Sequence, residues 1–69
     1  MRIRLSLDYD GVSRGADEVY EYTTPEEREQ LITDYIHHHG DRIAEMAQVS
    51  DLSEVEDSRK YVVVEEWED

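Results

Sequence analysis

Ile3, Leu5, Leu7 and Tyr9 alternate with Arg2, Arg4, Ser6 and Asp8. This period of two predicts a strand with one buried face. Asp10-Gly11 marks a turn, and Ser13-Arg14-Gly15 is expected to extend it into a flexible loop. Glu18-Val19-Tyr20-Glu21-Tyr22 predicts a second strand, rich in aromatic and β-branched residues. Beyond it the period changes. Ile32, Ile36, His39, Ile43 and Met46 recur at spacings of four, three, four and three, with Tyr35 and Ala47 widening the stripe. That is the signature of a helix with one apolar face.

The helix start is written locally. Thr24-Pro25-Glu26-Glu27 supplies a capping hydroxyl, a proline at the first helical position and a glutamate three residues after the cap. The apolar phase runs straight through Gly40, which predicts one long helix over 25–48, kinked at most. The rival is a break after His39, with Gly40 as a C-terminal cap and a short second helix from Asp41. Val49 to Ser58 predicts a loop or a single helical turn, and Tyr61-Val62-Val63-Val64 a third strand running out to Trp67. The fold expected is a single α+β domain over 1–69 in the order ββαβ. Its three antiparallel strands, the first in the centre, carry the helix on one face.

One helix covers one side of a sheet. The third strand is apolar on both sides, with Val62 and Val64 facing one way and Tyr61, Val63 and Trp67 the other. Tyr61 and Trp67 are therefore expected on an open face, as a contact surface for a partner or a homodimer. The alternative is that they simply lie along the stems of Arg2 and Arg4.

Charge then reshapes this picture. Nineteen acidic residues face seven basic ones, a net charge of −12, and cysteine is absent. A field of that sign repels nucleic acid and anionic membranes and draws the chain to basic surfaces. It is also what a salt-adapted or GC-rich origin produces. On the predicted helix, Glu27, Asp34, Asp41 and Glu45 fall within about 40° of one another, opposite the apolar stripe, at 100° per residue. Adjacent members stand roughly 6–10 Å apart at 1.5 Å rise, comparable with phosphates along a nucleic-acid strand. Glu65, Glu66, Glu68 and Asp69 are expected to extend that row.

Three segments suggest chemistry. Leu5-Ser6-Leu7-Asp8-Tyr9-Asp10-Gly11-Val12 resembles the first motif of the haloacid-dehalogenase-like phosphohydrolases. The resemblance implies Asp8 as nucleophile, Asp10 as general acid/base and Mg²⁺ between them, on a parallel α/β sheet. It spans eight residues, and the family's later motifs have no counterpart here. Ser6, Asp8, Asp10, Gly11 and Asp17 also fall partly on the spacing of a calcium loop, with serine first and aspartate last. His37-His38-His39 suggests metal binding, but consecutive helical residues project 100° apart and are not expected to converge on one ion. His38 falls between Asp34 and Asp41 on the acidic row, where the three could form a ligand set or give a mild pH response.

The expectation is a non-enzymatic inhibitor whose acidic surface occupies the basic site of a nucleic-acid-handling protein. It would have no cofactor, no direct nucleic-acid or membrane binding, and a cytoplasmic location. In size and charge, and in nothing more specific, the chain is similar to phage- and plasmid-encoded anti-restriction and anti-CRISPR proteins. The alternative is a structural module that docks through the tyrosine/tryptophan sheet face.

Overall fold

The structure is a computed structural model that describes residues 1–68 and every side chain among them except those of Ser13 and Arg14. Strands β1 (Arg2–Tyr9) and β2 (Val12–Glu21) form a hairpin, followed by helices α1 (Pro25–His38) and α2 (Gly40–Ala47). Two 3₁₀ turns, Leu52–Glu54 and Ser58–Tyr61, lead to β3 (Val62–Trp67). The order is β-β-α-α-β, with a break where one long helix was expected. The sheet is antiparallel throughout, in the order β2-β1-β3.

β1 takes the centre because it pairs on both edges, and its alternation buries Ile3, Leu5 and Leu7 completely. Facing residues of an antiparallel pair share a side of the sheet. Tyr20 and Glu66 therefore sit beside Ile3, and Glu18 and Val64 beside Leu5, on the face that carries the helices. Ile32, Tyr35, Ile36, Ile43 and Ala44 close that face from the helix side. Tyr22 and Tyr61 complete the core.

The hairpin is tighter than the sequence suggested. Asp10 and Gly11 alone form the loop, both at positive φ (56° and 77°), the backbone that two-residue hairpin loops require. Ser13-Arg14-Gly15 is strand, not loop. Two register shifts, between Leu5 and Leu7 and between Leu7 and Asp8, absorb the extra residues of β2 as bulges.

The helix breaks at His39, whose φ of −105° and ψ of 22° leave the helical region. Hydrogen bonding nevertheless carries across. The His39 N–H donates to the Tyr35 carbonyl at 3.0 Å, and the Ile43 N–H to the His39 carbonyl at 3.0 Å. The apolar period therefore continues through a break that it cannot register. Gly40 is buried, and a Cβ there would stand 3.0 Å from Leu52 Cδ2. Its role is to let the returning chain pack against the junction. It lies inside α2 at its first position, not in a left-handed cap.

Tyr61 also departs from expectation. It belongs to the second 3₁₀ turn, is 8% exposed, and stacks on Tyr9 with centroids 5.9 Å apart. It is core, not open sheet face. Trp67 does lie on that face, beside Arg2, and stays 39% exposed.

Candidate functional site

Two regions carry the chemistry that the fold positions: the outer faces of the helices, and the gap between β2 and the helix junction.

Glu27, Asp34, Asp41 and Glu45 are all exposed, but they are not equivalent. Glu27 turns back to the helix start. Its N–H donates to Thr24 Oγ1 at 3.2 Å, and the Thr23 hydroxyl donates to Glu27 Oε1 at 2.8 Å. Asp34 accepts from Gln30 Nε2 at 2.8 Å. Asp41 and Glu45 share one face of α2, four residues apart, on the far side of the break from Asp34.

Four arginines, Arg2, Arg4, Arg28 and Arg59, are committed elsewhere. Arg2 pairs with Glu21, and Arg4 with Asp17 at 2.6 Å and Glu65 at 4.0 Å, across the open sheet face. Arg28 bridges Glu29 and Glu66, tying α1 to β3, while Arg59 pairs with Glu29. Among the described residues no ion pair reaches Asp34, Asp41 or Glu45. The expected extension along the C-terminal acids divides instead. Glu65 lies on the open face and Glu66 on the helix face, held by Arg28. Glu68 is exposed, and Asp69 falls outside the described residues.

The open sheet face places exposed Val19 and Trp67 with partly buried Val63 among Arg2 and Arg4 and their acidic partners. The register sets Arg4 opposite Val19 and Arg2 opposite Trp67 on this face.

The phosphohydrolase resemblance ends at the sheet. Asp8 closes β1, and Asp10 sits in the hairpin turn at positive φ. They line a shallow hollow with Lys60, the half-buried Tyr9 and the core residue Tyr61. The sheet around them is antiparallel, unlike the parallel sheet the resemblance implies. The calcium-loop spacing likewise falls on paired strands, with Ser6, Asp8 and Asp17 inside β1 and β2.

The histidines behave differently from expectation. His38 ends α1, and His39 is the junction residue. Their rings meet edge to face with centroids 4.8 Å apart. Glu18 reaches them from β2, with His39 Nε2 3.5 Å from Glu18 Oε2. One ligand atom from each of Glu18, His38 and His39 lies within 4.8 Å of the other two. Sequence reasoning missed this because it laid all three histidines on a regular helix and drew partners only from that helix. Of the spacing-based set, Asp34 and His38 do line one hollow, together with Glu18, Tyr20 and Tyr35.

Neighbours hold the cluster in place. The Tyr20 hydroxyl donates to Glu18 Oε2 at 2.7 Å, and Tyr35 packs on the His39 ring with centroids 4.5 Å apart. Tyr35 is itself fixed by its hydroxyl donating to the Ala16 carbonyl at 2.9 Å. The Tyr20 hydrogen bond holds the Glu18 carboxyl below its ordinary range, and His39 and His38 add to this against the opposing effect of desolvation. That same bond, with burial, pushes the Tyr20 phenol up to about 12. Burial chiefly pushes Tyr35 up to about 12.

No protein-family model, curated protein or solved structure matches this chain significantly. Among the described residues no helix is long and apolar enough to cross a membrane.

Proposed function

We propose that this chain is a non-enzymatic acidic binding module. Its helical acids occupy a basic, nucleic-acid-binding surface on a partner protein. The supporting observation is how charge is distributed. Arg2, Arg4, Arg28 and Arg59 are committed to acids of the sheet and of the first half of α1. Asp34, Asp41 and Glu45 stay exposed with no ion pair among the described residues. Surface carboxylates that hold no ion pair gain most from an external cationic partner, and a net charge of −12 steers such a partner from a distance.

The test is a pull-down at low and at high salt, followed by competition against nucleic acid for the captured partner. The wild-type chain should recover a basic nucleic-acid-binding protein at low salt and displace nucleic acid from it. Raising ionic strength shortens the screening length from ~10 Å at 0.1 M to ~3 Å at 1 M, and should release the partner. The triple reversal Asp34→Lys, Asp41→Lys, Glu45→Lys should abolish capture while leaving the circular dichroism spectrum unchanged. A partner kept at high salt and lost in Trp67→Ala would transfer the function to the open sheet face.

A further inference from the structure

The cluster of Glu18, His38 and His39 carries an inference that owes nothing to the acidic helix face. We propose that these three side chains form a site for a borderline divalent transition metal, for which Zn²⁺ is the natural probe. The donors come from two parts of the fold, β2 and the helix junction, and their ligand atoms lie within 4.8 Å of one another. Tetrahedral zinc with bonds of about 2.0–2.1 Å places neighbouring ligand atoms about 3.3 Å apart. Glu18 and His39 stand at 3.5 Å, close to that spacing before any ion binds. The remaining closure falls on His38, an exposed residue at the end of α1.

Donor chemistry narrows the ion. Two imidazoles and one carboxylate suit zinc and its neighbours in the first transition row. Calcium and magnesium favour sites built from oxygen alone. Three protein ligands would leave a fourth position open to water.

Supporting contacts resemble those that orient ligands in metal sites. Tyr20 donates to the Glu18 carboxylate, and Tyr35 sets the plane of the His39 ring. The helix break is what makes convergence feasible. On a regular helix His38 and His39 would diverge by 100°, whereas here their rings touch. A bound ion would tie β2 to the point where α1 gives way to α2.

The experiment is calorimetric titration of Zn²⁺ into the untagged full chain, with thermal unfolding measured alongside. Wild type should bind one Zn²⁺ per chain and melt at a higher temperature when loaded. His38→Ala should weaken binding at least about tenfold and lose the thermal shift. Because His38 is exposed, this variant keeps its fold, and circular dichroism verifies it. Glu18→Gln should weaken binding comparably, while His37→Ala should match wild type. Calcium in excess should not displace the ion. The proposal is overturned by an absence of saturable binding, by wild-type affinity in His38→Ala, by equal losses in His37→Ala and His38→Ala, or by displacement with calcium, which would mark a diffuse carboxylate atmosphere.

Discussion

Helices α1 and α2 follow one another with a single residue between them, yet they form for different reasons. α1 begins on a local signal: Thr24 accepts from the Glu27 N–H, Pro25 holds the first helical position, and Glu26 and Glu27 complement the positive end of the dipole. α2 has no such start. Its N-cap, His39, makes no side-chain cap hydrogen bond, its first residue is glycine, and it ends on Gln48 at a left-handed φ of 61°. At eight residues it falls well below the ~12–15 at which isolated helices become marginal in water. What holds it is tertiary contact: Ile43 and Ala44 in the core, and Leu52 against Gly40. One helix is begun by its own sequence, and the other is imposed by what packs on it.

The largest effect expected from this contrast lies in α2. Ile43 is wholly buried, and Ile43→Ala removes its packing and leaves a cavity. The expected cost is about 3 kcal/mol, within the 2–5 range for such truncations, read from urea denaturation. In a domain this small that is a large share of total stability. A loss below 1 kcal/mol would show that α2 is not held by the core and would remove the contrast.

Next is Gly40→Ala, where two effects oppose each other. Alanine gains about 1 kcal/mol of helix propensity over glycine. The new methyl, however, meets Leu52 Cδ2 at 3.0 Å and its Cβ at 3.4 Å, and overpacking typically costs about 1–3 kcal/mol. A net loss of about 1 kcal/mol is expected in the wild type. In a Leu52→Ala background the clash is gone, and the same substitution should stabilise. The reversal of sign, measured as a double-mutant cycle, isolates the contact. The same sign in both backgrounds would mean that Leu52 does not set the need for glycine.

This difference between the helices also explains how much of the molecule was legible in the sequence. Period-two alternation placed β1 and its buried face, and the capping residues placed the start of α1 at Pro25. The central place of β1 followed from its being the least acidic of the three strands. The break at His39 was not legible, because hydrogen bonds from His39 to Tyr35 and from Ile43 to His39 keep the apolar phase intact across it. Only Leu52, twelve residues beyond Gly40, reveals why the chain bends there, and a non-local contact leaves no periodic trace. Tyr61 was misplaced for a related reason. A run of Tyr and Val suggests strand throughout, whereas the strand starts one residue later and Tyr61 turns inward to Tyr9. The Glu18–His38–His39 cluster was hidden twice over, by the break and by the two bulges that set the register of β2. The exposed acids, by contrast, needed only helical spacing to be found, and Glu27 alone is drawn aside, into the helix cap.

The smallest effect belongs to the start of α1. Thr24→Ala removes the acceptor for the Glu27 N–H at 3.2 Å, and N-cap substitutions of this kind cost about 1 kcal/mol. The Thr23 hydroxyl still donates to the Glu27 carboxylate at 2.8 Å, so the glutamate stays near the helix end and the dipole remains partly complemented. A loss at or just under 1 kcal/mol is therefore expected, with Thr24→Ser restoring the wild-type value, since serine offers the same acceptor. Because the change is local, amide exchange should quicken only across the first turn of α1, leaving α2 and the junction protected as before. Faster exchange at Ile43 and Ala44 in Thr24→Ala would mean that the start of α1 supports α2 as well. The two helices would then be one cooperative unit despite the break.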